Sequence, residues 1–159
     1  MTKSIPCAFV IALVLAACGD TAGDGASDGG GGGGGGTPGG GGAAQTCVDE
    51  INRYRAMNGK PAYKRWTSTE SCADGQAESD SKSNKAHGAF GDCKEFGQDE
   101  CPGWGGTPDK VIVDCLKAMW DEGPGGGHHD IMNSDKYTQV ACGFFTTSSG
   151  KVWAVQDFK

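Results

Sequence analysis

Positive charge is in short supply. The 159 residues include 14 Lys and Arg against 20 Asp and Glu, a formal charge of −6 with His neutral. An acidic chain gains no attraction to polyphosphates, which argues against nucleic acid as a principal partner. Long apolar runs are equally scarce: after residue 17 none could span a bilayer as a helix. No His-Glu-x-x-His run is present, so the helix-borne zinc protease motif is missing. No Cys-x-x-Cys pair marks a cysteine-rich metal site. Between Gly19 and Ala44 there is neither an aromatic nor a large aliphatic residue. Such a segment cannot bury enough apolar surface to offset its ordering entropy. Its glycine runs lack the Lys-Ser/Thr end and the flanking strand of a phosphate-binding loop.

What is present begins with an export signal. Lys3 supplies a positive start, and Ile5 to Ala17 an apolar stretch too short to cross a membrane comfortably. Leu15-Ala16-Ala17-Cys18 resembles the bacterial lipobox, which implies cleavage before Cys18 and lipid on its sulfur. Buried acyl CH₂ groups each contribute about 0.8 kcal/mol of membrane affinity. The reading is therefore a signal peptide over 1–17, a flexible tether over 18–44 and one globular head over 45–159. It is an exported cell-envelope lipoprotein, periplasmic or at the cell surface, with the membrane as a partner through its anchor.

Six cysteines remain in the head: Cys47, Cys72, Cys93, Cys101, Cys115 and Cys142. In an exported small domain an even count reads as three disulfides, with fifteen possible connectivities. Cys93 and Cys101 are the nearest pair in sequence and the easiest to suggest.

Helical spacing places Cys47, Ile51 and Tyr54 on one face, after Thr46 as N-cap and before Gly59 and Pro61. Glu50, Arg53 and Arg55 fall on the solvated side. A second helix fits Ser68 to about Lys85, with a thin stripe of Cys72, Ala73 and Ala77. The serines Ser79, Ser81 and Ser83 alternate with charges and read as solvated, not nucleophilic. Gly88 then favours φ > 0, turning His87 off the helix axis. Ala89 to Thr107 reads as irregular, with Trp104 plugging a core edge. Thr107-Pro108-Asp109 is a strong helix start, and Val111, Cys115, Leu116 and Met119 form its buried stripe. Asp121 and Glu122 close that helix, where the macrodipole disfavours acids unless a cation is near. Gly127-His128-His129-Asp130 follows on a loop. Tyr137 to Phe145 and Lys151 to Phe158 read as a hairpin turning at Thr147–Gly150.

These features, in this order, resemble the CAP superfamily of cysteine-rich secretory, antigen and pathogenesis-related proteins, including the bacterial SCP-like members. The matching segments are Val48-Asp-Glu-Ile-Asn-Arg-Tyr-Arg-Ala56, the Ala-containing second helix, His87-Gly88 and Trp120-Asp-Glu122. Further matches are Gly127-His128, Tyr137-Thr-Gln-Val-Ala-Cys-Gly143 and Trp153-Ala-Val-Gln-Asp-Phe158. The resemblance implies an α+β fold, a three-layer α-β-α sandwich on a mainly antiparallel sheet. It also implies a cleft lined by two His and two acids. The histidines fall on His87 and His128, and one acid on Glu122. The other acid's place, usually Gly-Glu-Asn, is taken by Gln98 in Gly97-Gln98-Asp99-Glu100, where Asp99 or Glu100 could substitute only if the loop shifts.

His87, His128 and Glu122 are a donor set that suits Zn²⁺ with an open fourth position. A metal-bound water could then act as nucleophile in a secreted hydrolase. Nothing in the chain supplies a further base or an oxyanion hole, and Gln98 removes one acid. The expectation is therefore a non-enzymatic binding module whose His-containing cleft takes a lipid, glycan or protein ligand. A metal-dependent hydrolase using His87 and His128 is the alternative.

Overall fold

The computed structural model describes residues 41–159; the signal segment, Cys18 and nearly all of the glycine-rich tether lie outside them. The first helix, α1, spans Gly41–Met57 and so begins before the expected boundary of the head. Ala43 and Ala44 are already buried, which gives this glycine-rich turn a surface to pack on. Thr46 is thus inside the helix rather than capping it; its hydroxyl donates to the Gly42 carbonyl (3.1 Å) and to Asp109 Oδ1 (3.2 Å). Strand β1, Lys64–Arg65, and a 3-10 turn, Thr67–Thr69, lead into α2, Glu70–Ser83. Then come β2 (Gly97–Gly105), α3 (Pro108–Trp120), α4 (Gly127–Met132), β3 (Gln139–Thr146) and β4 (Lys151–Phe158). Thr107 takes the extended backbone of an N-cap before Pro108, although its hydroxyl makes no capping bond.

The sheet order is β1-β3-β4-β2. β3 pairs antiparallel with β4, and β4 with β2, while β1 lies parallel to β3, so the sheet is mixed but mainly antiparallel. Because side chains alternate along a strand, each strand serves two layers. Val140, Cys142 and Phe144 of β3, with Val152, Ala154 and Phe158 of β4, pack against Ile51 and Tyr54 of α1 and Ile112 and Leu116 of α3. The opposite face presents Phe145, Trp153 and Val155 to Ala73 and Ala77 of α2. The result is the expected α-β-α sandwich. α2 lies so close to β3 that a Cβ on Gly143 would stand 2.1 Å from the Ala73 carbonyl carbon. Asp74 fixes this contact by accepting a hydrogen bond from the Phe144 amide (2.7 Å).

The disulfides are Cys47–Cys142, Cys72–Cys93 and Cys101–Cys115. The suggested Cys93–Cys101 pair does not form. Cys93 is joined to α2 on one side of the sheet, whereas Cys101, within β2, projects to α3 on the other. Two further expectations give way. The stretch Ala89–Thr107 contains β2, a nine-residue strand, because Gln98 and Glu100 face a buried polar layer instead of solvent. Arg55 is 1 % exposed, not solvated. Its guanidinium donates to the carbonyls of Pro61, Met132 and Ser134 (2.8–2.9 Å) and lies 3.5 Å over the Tyr63 ring.

Candidate functional site

His87 owes its position to the backbone after α2. Asn84 and His87, not Gly88, adopt positive φ (49° and 58°). Gly88 is required for closeness instead: a Cβ there would lie 2.8 Å from Asp80 Oδ1. The His87 amide donates to Glu100 Oε2 (2.5 Å), and its Nδ1 meets Gln98 Oε1 at 2.9 Å. Gln98 Nε2 in turn donates to Asp157 Oδ1 (2.9 Å) and Gln76 Oε1 (3.1 Å). A single β2 side chain therefore orients the imidazole and ties it to a buried polar layer. The amide does this without charge, which a glutamate at this position would not.

The second expected histidine sits on α4, a short helix where a loop was expected. His128 Nδ1 meets Glu122 Oε1 at 2.6 Å, and the His128 amide donates to Glu122 Oε2 (3.2 Å). The hydrogen bond from His128 holds the Glu122 carboxyl below its ordinary pKa. Asp121 pairs with Lys117 one turn back. Each acid at the end of α3 thus has a local hydrogen-bonding partner. His129 is buried and packs, tilted by 38°, against Trp120 (ring centroids 4.3 Å), which stacks on Tyr54 (4.9 Å). Of the two adjacent histidines, His128 faces Glu122 and His129 belongs to the core.

The structure brings His87 to Gln98, and His128 to Glu122. It does not gather His87, His128 and Glu122 into one ligand set. Among the described residues, the one trio of donor atoms within 4.8 Å of one another is Cys93, Glu95 and Asp157. The histidine-and-acid set drawn from the family pattern therefore does not fit a single Zn²⁺ in this arrangement.

What surrounds His87 is apolar. His87, Gln98 and Gly97 share a cavity of about 350 Å³ with Phe90, Phe96, Ile131 and Tyr137. Phe96 and Phe90 are 69 % and 50 % exposed, unusual for phenylalanine outside a contact surface. This aromatic rim was not foreseen from the sequence. Two phenylalanines flanking a Gly- and Cys-containing loop, away from any periodic stripe, were the available signal. Also missed were the acids Asp80, Glu95 and Asp157, buried with Glu100 behind the cavity. Burial pushes the Glu100 and Asp157 carboxyls up to about 7 and raises Asp80 as well. Asp157 was visible in principle, as a lone acid in the apolar strand Val152–Phe158.

Fold and cleft together define a disulfide-stapled α-β-α domain with a histidine at the polar wall of an aromatic pocket. The family model for the cysteine-rich secretory protein family, CAP, matches residues 48–158, and the chain belongs to that family. No curated protein matches the chain in sequence. Family and disulfides point to an extracellular or secreted protein. No helix among the described residues is long and apolar enough to cross a membrane.

Proposed function

We propose that this protein is a non-enzymatic binding module, fastened to the cell envelope by lipid on Cys18, that captures a small amphipathic lipid in the His87 pocket. The observation that carries this reading is the pocket's composition. Phe90, Phe96, Ile131 and the Tyr137 ring offer an apolar surface, and His87 and Gln98 stand at the same wall to meet a polar head. A volume of about 350 Å³ is in the range of small-molecule sites, which are mostly apolar with few placed polar groups. Glycans demand more hydrogen-bonding partners than this lining supplies. The separation of His87 from the His128–Glu122 pair favours binding over metal-assisted hydrolysis.

The test is titration of the full chain with a fluorescently labelled fatty acid, beside a Phe90→Ser/Phe96→Ser variant and His87→Ala. Both phenylalanines are exposed, so their loss should leave the fold intact. Saturable binding weakened at least tenfold in the double variant, and measurably in His87→Ala, is the expected result. Equal binding by wild type and double variant would sink the proposal. Fractionation of Cys18→Ser cells tests the anchor: the protein should leave the membrane fraction.

A further inference from the structure

A second cavity, of about 560 Å³, opens where the end of α2, the bulged part of β2 and the β3–β4 turn meet. A β-bulge shapes it. Cys101 pairs with Ala154 and Trp104 with Val152, so Pro102 and Gly103 together stand opposite Trp153. Bulges re-aim side chains and recur beside active sites. Proline is tolerated there because the ladder asks no amide of it. Gly103 adopts φ 69°, where a side chain would be strained. A Cβ on Gly103 would have Trp153 Nε1 as its nearest neighbour, at 3.6 Å. Glycine thus leaves the nitrogen edge of the indole uncovered. Trp153 is 6 % exposed, and a buried indole N–H ordinarily finds a hydrogen-bond partner. This one has none among the described residues, and it borders the cavity instead.

The other groups around the cavity are of the kinds that hold a sugar. Asn84 caps α2 in the left-handed conformation (φ 49°), and its side-chain amide has no partner among the described residues. The Ser81 hydroxyl donates to Glu78 O (2.7 Å) and can still accept. The Thr147 and Ser149 hydroxyls, 3.0 Å apart, add a donor and acceptor pair. Pro102 offers an apolar contact for ring C–H groups. One charged side chain lines the cavity, Lys151, and no carboxylate does. Lys151 forms no ion pair among the described residues. In a chain of net charge −6, an unpaired lysine with no acid beside it selects for negative charge. A bare inorganic anion would leave the amide and the indole unused, and a lipid would cover them without pairing them. We propose that this cavity binds a carboxylated sugar, the end residue of an acidic glycan. The ammonium of Lys151 takes the carboxylate, and the Trp153 N–H donates to a sugar oxygen. Asn84 and the turn hydroxyls share the remaining hydroxyl groups. The volume is in the range of small-molecule sites. The inference does not depend on what the His87 pocket binds.

The ¹⁵N-labelled full chain is titrated with D-glucuronic acid at neutral pH while the assigned indole N–H signal of Trp153 is followed by NMR. D-glucose and sodium acetate serve as the neutral sugar and the bare carboxylate. A dissociation constant on the order of 1 mM suits a ligand of this size. The expected result is a saturable shift of the Trp153 signal, weakened at least tenfold in Lys151→Gln and measurably in Asn84→Gly, which keeps the left-handed cap. Glucose and acetate should each bind at least tenfold more weakly than glucuronic acid. Lys151 and Asn84 are exposed, so both variants should fold, and their unperturbed amide spectra verify it. A Trp153 signal unmoved far above that constant would overturn the proposal. So would one that follows acetate or glucose as readily, or that responds equally in Lys151→Gln.

Discussion

Replacing Arg55 with methionine removes the one guanidinium buried in the helical layer. The side chain donates to Met132 O (2.8 Å), Ser134 O (2.8 Å) and Pro61 O (2.9 Å). Met132 O is buried, and leaving it unpaired costs about 1–3 kcal/mol. Ser134 O keeps the Tyr63 hydroxyl at 2.6 Å, and Pro61 O is near enough to the surface to find water. Their losses are nearer the usual net of about 0.5–1.5 kcal/mol each. Loss of the contact over Tyr63 adds roughly 0.5–2 kcal/mol. Against these stands the desolvation of a buried cation, which holds the Arg55 pKa below its ordinary value and is relieved in the variant. The expected net effect is destabilisation by about 2–4 kcal/mol. Urea unfolding of the full chain with disulfides intact measures it. Arg55→Lys should recover only part, because an ammonium cannot fork toward three carbonyls. Since Met132 and Ser134 follow Ile131 of the pocket wall, Arg55→Met should also weaken fatty-acid binding. A methionine variant as stable as wild type would refute the account of this residue as a clamp.

Gly143→Ala should destabilise by about 1–3 kcal/mol or more, because its Cβ would stand 2.1 Å from Ala73 C and 2.3 Å from Asp74 N; an unchanged urea midpoint would show that α2 can move aside freely. Stability should fall as pH rises from about 4 to about 7. The folded state holds protons on Glu100 and Asp157 up to about 7, above the unfolded carboxylate range, so their contribution is complete in acid and lost through neutrality. For Asp157, three pKa steps correspond to at most about 4 kcal/mol. Asp157→Asn should flatten the profile, and a wild type more stable at pH 8 than at pH 5 would contradict this.

The legible parts of the sequence were those where local chemistry and burial agree. Thr107-Pro108 starts α3 because proline suits a first helical turn. The β3–β4 hairpin follows from β-branched and aromatic residues either side of Thr147–Gly150. β2 was illegible because its sequence, Gly-Gln-Asp-Glu-Cys-Pro-Gly-Trp-Gly, carries acids that strands on a solvated sheet would expose. Here they face inward on both sides: Gln98 and Glu100 toward α2, and Asp99 toward α1 and α3, its pKa driven well above the ordinary value by burial. Arg55 misled for the same reason, since its partners lie near residues 132–134 and nothing local announces them. For the cleft, the family pattern pointed to His87, Gln98, Glu122 and His128. What no spacing could convey is that they pair off two by two, each imidazole kept by its own neighbour.

The bridge between Cys47 and Cys142 joins residues 95 positions apart. A protease that cuts the backbone anywhere within that span severs the chain without releasing a fragment, because both pieces stay bonded through α1 and β3. The Cys72–Cys93 bond does the same, locally, for the exposed loop carrying Phe90 and His87. A nicked copy would migrate as two bands only after reduction, and until then would keep its pocket assembled. For a protein outside the cell, where proteases are met and repair is not, damage to the peptide chain is uncoupled from loss of the particle.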